Sequence, residues 1–174
     1  MLLTLLLREV RACEICSAHL PLGPRPVVQL ASTARLLIIG QAPGSKVHQS
    51  GIPWSDASGD RLRDWLQLDR SAFYDKAQVA ILPMGFSYPG AGDNRSDLPS
   101  RPGCAPLWHE RLFKHLPHLE TTLLVGQYAQ RHYLGTRRKA SKTETVKAFP
   151  TYGPQFFPLP HPSWRSFIWM RKHT

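Results

Sequence analysis

The sequence predicts an α/β fold of three layers, α/β/α, around a central four-stranded parallel sheet. Four short apolar runs, at residues 34–39, 79–84, 121–125 and 155–159, alternate with segments of helical periodicity. That βαβαβαβ order favours a parallel sheet with helices on both faces. The first run, through Leu36, Leu37, Ile38 and Ile39, shows no polar alternation, as befits a strand covered on both sides. A chain of 174 residues suits one domain, here residues 1–174, and buries about 70% of the surface its unfolded form exposes.

Each element follows from local chemistry. Residues 3–12 are leucine-rich and helical. Arg8, Glu9 and Arg11 break the apolar stretch too early for a secretory leader, and a membrane span needs about 20 apolar residues. A cytoplasmic protein with no membrane partner is therefore expected. Cys13-Glu14-Ile15-Cys16 comes next, and Pro21, Pro24 and Pro26 then hold an extended loop. The first strand ends in Gly40-Gln41-Ala42-Pro43-Gly44, and residues 45–55 read as loop. Ser58-Gly59-Asp60-Arg61 opens a helix that carries Leu62, Trp65 and Leu66 at spacings of three and four. After the second strand, Pro89, Gly90, Gly92, Pro99, Pro102 and Gly103 make residues 87–103 a long irregular loop, and such loops are often functional.

Residues 105–116 read as a helix with Leu107, Arg111, Leu112 and His115 around its turns. The third strand runs into Gly126-Gln127-Tyr128, which starts another helix, and residues 141–147 make a further short one. The fourth strand leads to Leu159-Pro160-His161-Pro162-Ser163. Residues 164–174 begin a last helix with little room to finish packing, so a trimmed C-terminus is expected. Right-handed crossovers bring the loops after all four strands to one edge of the sheet.

Lys and Arg number 22 against 12 Asp and Glu, a formal net charge of +10. The excess favours an acidic partner, nucleic acid first, against the plainer reading of a solvated basic surface. It is densest between Arg131 and Lys147, where Arg137, Arg138, Lys139, Lys142 and Lys147 stand with a single acid, Glu144.

Two rigid loops carry the chemistry. Gly40–Gly44 is a turn in which glycine permits close approach of backbone to a ligand, or simply a tight strand-to-helix turn. It matches neither the dinucleotide glycine fingerprint nor a phosphate loop. His161, held between two prolines, can donate a hydrogen bond to developing negative charge, or merely satisfy backbone groups. Ser163 can cap the last helix and meet a phosphate. Trp54 can stack on a planar ligand or fill the core. Asp56 and Asp60 are the nearest acids, and Asp60 suits a first helical turn. Cys13 and Cys16 have metal-ligand spacing, and Cys104 is the only other cysteine, so a metal site needs a fourth ligand from residues such as Ser87, His19 or His109. Buried free thiols are the plainer reading, and a disulfide is not expected in the cytoplasm.

Taken together, the chain from Cys13 to Ser163 resembles the uracil-DNA glycosylase superfamily, most closely its bacterial and archaeal iron–sulfur branch. The Cys-x-x-Cys before the first strand is Cys13 and Cys16. The branch's Gly-Glu-Ala-Pro-Gly is matched by Gly40-Gln41-Ala42-Pro43-Gly44. Its stacking motif is matched by Gly51-Ile52-Pro53-Trp54, and a glycine with its helix by residues 59–62. Its late His-Pro-Ser is His161-Pro162-Ser163. The two further cluster cysteines fall at Ser87 and Cys104.

The resemblance implies a base-excision glycosylase acting on DNA as a monomer. Gly40, Ala42, Pro43, Gly44, Trp54 and Pro83 would hold the base, and His161, Gln41 and Asp56 would carry the chemistry. Ser163, Trp164, Arg165, Arg137, Arg138 and Lys139 would meet DNA, with Trp164 and Arg165 as the minor-groove wedge. Cys13, Cys16 and Cys104, with Ser87 in the fourth position, imply a 4Fe–4S cluster that is degenerate or absent, since serine is a poor ligand for it. Three departures bear on activity. Gln41 and Ala42 occupy the positions where relatives carry a water-activating acid, and a neutral amide is no general base. Pro83 stands near the place of a uracil-reading asparagine, and Ser87 stands for a cysteine. A non-catalytic DNA-binding or damage-recognition protein on the same fold is the alternative. A small-molecule nucleobase hydrolase ranks last, because it gives no reason for the basic surface.

Overall fold

The computed structural model describes residues 2–94 and 96–171, the Phe167 side chain excepted. Its four strands are β1 (Leu36–Ile39), β2 (Val79–Ile81), β3 (Thr121–Val125) and β4 (Phe156–Leu159). They form one parallel sheet in the order β2-β1-β3-β4, with Leu36 opposite both Val79 and Thr121, and Thr122 opposite Phe156. The helices are α1 (Leu3–Arg11), α2 (Ser45–Ser50), α3 (Ala57–Leu66), α4 (Arg70–Tyr74), α5 (Glu110–Phe113), α6 (Gln127–Leu134), α7 (Lys142–Lys147) and α8 (Trp164–Arg171). Among the described residues no helix is long and apolar enough to cross a membrane.

Strand alternation distributes the core over both faces of the sheet. Leu37, Ile39, Ala80 and Leu124 face one side, where Leu6 and Val10 of α1, Leu112 of α5, and Ala129 and Leu134 of α6 cover them. Ile38, Val79, Ile81, Leu123 and Val125 face the other, under Leu62 of α3 and Phe73 of α4. This is the expected α/β/α sandwich. The open edge at β2 is covered by Gln29, whose N–H donates to the Ile81 carbonyl at 3.0 Å and whose carbonyl accepts from the Ile81 N–H at 2.6 Å. Edge coverage of this kind removes a template for unwanted strand pairing.

Several boundaries differ from expectation. Residues 45–50 form α2 rather than loop, closed by Gly51 at φ +69°; six residues are too few to show a helical period. Helix α4 was not foreseen, although Asp69 caps it by accepting from the Ala72 N–H at 2.7 Å. The second strand stops at Ile81 because Pro83 has no N–H for a ladder. The chain still follows the β1 turn, with Met84 N–H donating to the Gly40 carbonyl and Gly85 N–H to that of Gln41, both at 2.9 Å. The helix expected over 105–116 is a π-helical turn, Ala105–His109, followed by the short α5. Trp108, His109 and Leu112 point inward, and Leu107 is exposed. The last helical turn anticipated at Lys172–Thr174 lies outside the described residues.

Candidate functional site

A cavity opens at the C-terminal edge of the sheet, where open α/β folds place their ligands. It is lined by the β1 turn (Gly40, Gln41, Ala42, Pro43, Gly44), by Val47, Pro53, Trp54, Asp56 and Ser58, by Ile81 at the end of β2 with Pro83 and Asp97 beyond it, and by His161 after β4. Its empty volume is about 570 Å³, part of it open to solvent. The base-binding and catalytic residues expected from sequence are thus brought to one place.

Trp54 is the most heavily constrained of them. Its φ is +57°, in the left-handed region, which for a bulky residue costs on the order of 1–3 kcal/mol. Surrounding groups enforce it. The Trp54 carbonyl accepts from Arg63 Nη1 at 3.1 Å, and the Pro53 carbonyl accepts from the Tyr74 hydroxyl at 2.9 Å. Arg63 is only 5% exposed and also donates to the Tyr74 oxygen and pairs with Asp60. Two glycines make the fit possible. A Cβ on Gly59 would lie 1.7 Å from the Trp54 carbonyl oxygen, and one on Gly40 would lie 2.7 Å from Cζ2 of the indole. The ring stands 5.9 Å from the His161 ring, centroid to centroid.

The acids divide their labour. Asp56 is the N-cap of α3: its Oδ1 accepts from the Gly59 N–H at 2.8 Å, while Oδ2 turns toward Gly44. Asp97 is the residue that the sequence reading missed. Its Oδ2 lies 3.3 Å from the point a methyl on Gly44 would occupy, and Asp56 Oδ2 lies 3.8 Å from the same point. Asp97 is exposed as a residue, but partial desolvation of its carboxyl, and then the Asp56 carboxylate, push that carboxyl above its ordinary range. Burial pushes the His161 imidazole down, with Asp56 opposing, so the ring is neutral near pH 7. Gln41 does not offer its amide freely, since Nε2 donates to the Leu98 carbonyl at 2.9 Å. The Pro83 carbonyl is taken as well, by Nε2 of the buried His109 at 3.0 Å.

Beside this cavity runs a second, basic groove, lined by Gln41, Val125, Gly126, Gln127, Tyr128, Lys142, His161, Ser163, Arg165 and Ser166. Gln41 and His161 line both. Trp164, 60% exposed, lies at the start of α8 beneath the Arg165 guanidinium, which is 5.5 Å from its ring. Arg137, Arg138 and Lys139 line neither cavity. The Arg137 guanidinium rests 5.7 Å from the Phe156 ring, and its carbonyl accepts from the Tyr152 hydroxyl. Lys142, which the sequence reading left within a general basic stretch, is the lysine that reaches the groove.

Cys13, Cys16 and Cys104 line a separate apolar cavity with His19, and all three are free thiols. Burial pushes the Cys104 thiol up to about 11, with the nearby Cys16 and Cys13 adding to the shift. Ser87 does not line that cavity; its hydroxyl accepts from the Arg25 N–H at 3.0 Å. Among the described residues no group of three or more His, Cys, Asp or Glu is arranged to hold a metal ion. These residues do not fit an intact 4Fe–4S cluster.

The parallel α/β sandwich thus carries a cavity at the switch point between β1 and β3, with a basic groove joined to it through Gln41 and His161. The profile of the uracil DNA glycosylase superfamily matches residues 28–174, and the chain belongs to that family.

Proposed function

We propose that this protein is a DNA base-excision glycosylase of the branch that resembles the iron–sulfur enzymes, hydrolysing the N-glycosidic bond of a deaminated base, uracil or a relative. One observation carries the reading: Gln41 and His161 line both the Trp54 cavity and the basic groove. A base in the first and its phosphates in the second would place the glycosidic bond between them. The target nucleotide rotates out of the duplex while Arg165, Lys142 and Ser163 hold the backbone. Trp54 stacks on the base, and the Gly40–Gly44 backbone borders its edge. As the bond stretches, negative charge gathers on the base, and the neutral His161 ring donates a hydrogen bond to it. Water attacks the sugar carbon, positioned by Gln41 or by Asp56, the acid whose charge acts on His161. In this reading the protein works as a monomer in the cytoplasm and needs no metal centre.

The test is release of free base from oligonucleotides bearing uracil, hypoxanthine or xanthine at low salt, with alkaline cleavage of the abasic product. The His161→Ala variant should lose about 10²–10³ in rate while still binding the oligonucleotide. A second reading, a damage-binding protein without catalysis, draws on the commitment of the Gln41 amide to Leu98 and the absence of an acid at Gln41 and Ala42. Retained, salt-sensitive binding with no base release from any of the three substrates would decide for it.

A further inference from the structure

Asp56 and Asp97 face the base cavity together but do not line the basic groove, so they border the base rather than the phosphates. Among the described residues no cation pairs with either carboxylate. Among the described residues, Tyr88, whose hydroxyl is pushed up by burial and by Asp97, and the Leu98 carbonyl occupied by Gln41 lie near Asp97. On the same cavity stands the Trp54 indole, whose π-face attracts cations. A neutral, carbonyl-bearing base gains little from two carboxylates, whereas a cationic ring meets opposite charge at its edge and the indole on its face.

We propose that Asp97, with Asp56, gives this cavity a further activity: release of cationic, N-alkylated purines from DNA. The proposal rests on the glycosylase reading of the cavity and names a second substrate class for it. The chemistry also accounts for the missing acid at Gln41 and Ala42. In an N7-alkylated guanine the ring already carries a positive charge. When the C1′–N9 bond breaks, its electron pair enters the ring, cancels that charge and lets a neutral base depart. The water oxygen bonds to C1′, and the proton it sheds passes to solvent. No anion forms on the base, so the hydrogen bond from His161 matters less than it does for uracil.

The experiment compares single-turnover release of 7-methylguanine and of uracil from matched oligonucleotides, with spontaneous loss subtracted. It uses the wild type and the Asp97→Asn, Asp97→Glu and His161→Ala variants. The Asp97→Asn change is isosteric but removes the charge, and should lower the 7-methylguanine to uracil ratio about tenfold or more. The Asp97→Glu variant, which keeps the charge, should restore most of that ratio. His161→Ala should shift it the other way. A ratio within about twofold of wild type in Asp97→Asn, or no 7-methylguanine release above the spontaneous rate, overturns the proposal. If uracil is still released in that case, the deaminated-base reading stands alone; if neither base is released, both fall. Release of 7-methylguanine alone, reduced tenfold or more in Asp97→Asn, upholds this proposal and removes the deaminated-base one.

Discussion

Acidification should destabilise this protein through one buried histidine. His109 is 2% exposed, stacked on Phe86 with ring centroids 5.7 Å apart. Its Nε2–H donates to the Pro83 carbonyl, which leaves Nδ1 to accept from the Tyr133 hydroxyl. The neutral ring is fully satisfied; a second proton has no acceptor without turning that hydroxyl away. Burial accordingly pushes its pKa down to about 4 from the ordinary 6.5, against the opposing Pro83 carbonyl and with a small contribution from His132. Between those two values the unfolded chain binds more protons than the folded one. Stability is therefore complete above about pH 6.5 and falls as pH drops toward 4. At about 1.4 kcal/mol per pKa unit the whole gap is worth about 3 kcal/mol, and between roughly 2 and 3 of that is lost by about pH 4.5. Urea unfolding of the wild type and of His109→Gln, followed from about pH 7.5 to 4.5, isolates the effect. The lowered His48 and His161 and the raised Asp97 titrate in both proteins and cancel in the difference. The wild type should lose about 2–3 kcal/mol more than the variant over that range. Parallel pH dependences would refute the account and show that His109 accepts its proton without penalty.

Two other outcomes follow from the site. Asp56→Ala removes the α3 cap and should lower stability by about 1 kcal/mol and Tm by roughly 2–4 °C, while Asp56→Asn keeps the cap and most of that stability; differential scanning calorimetry decides. Oligonucleotide affinity should fall steeply with salt, and Arg165→Ala and Lys142→Ala should each reduce the slope of log K against log salt by about 1, whereas Arg137→Ala should leave it nearly unchanged.

The sheet was legible because its signals are local. Leu36–Ile39 and Thr121–Val125 are apolar runs ended by glycine, and Ser141 with Glu144 forms a capping box that the sequence displays directly. The cavity was legible where rigid residues follow strands, as at Gly40 and His161. Asp97 was not, because its place depends on a turn within the long loop. Leu98 N–H donates to the Gly90 carbonyl and Gly92 N–H to that of Ser96, both at 2.8 Å. That closure brings a residue 53 positions after Gly44 up against it, and no periodicity announces such a contact. His109 was hidden for another reason: it stands four residues after Ala105 and three before Leu112, on the face that is buried, but a histidine there reads as polar and nothing local reveals that both its ring nitrogens find partners.

The order β2-β1-β3-β4 also governs how the chain is made. Strand β1 is flanked on both sides by strands that come later, and its second neighbour is complete only at Val125. During synthesis at about 5–20 residues per second, Leu-Leu-Ile-Ile waits roughly 4–17 s for that partner. Through that interval a four-residue apolar strand has an open edge, the form most prone to pair with another chain. The nascent protein therefore depends on holding this apolar segment apart from its neighbours until Val125 has emerged.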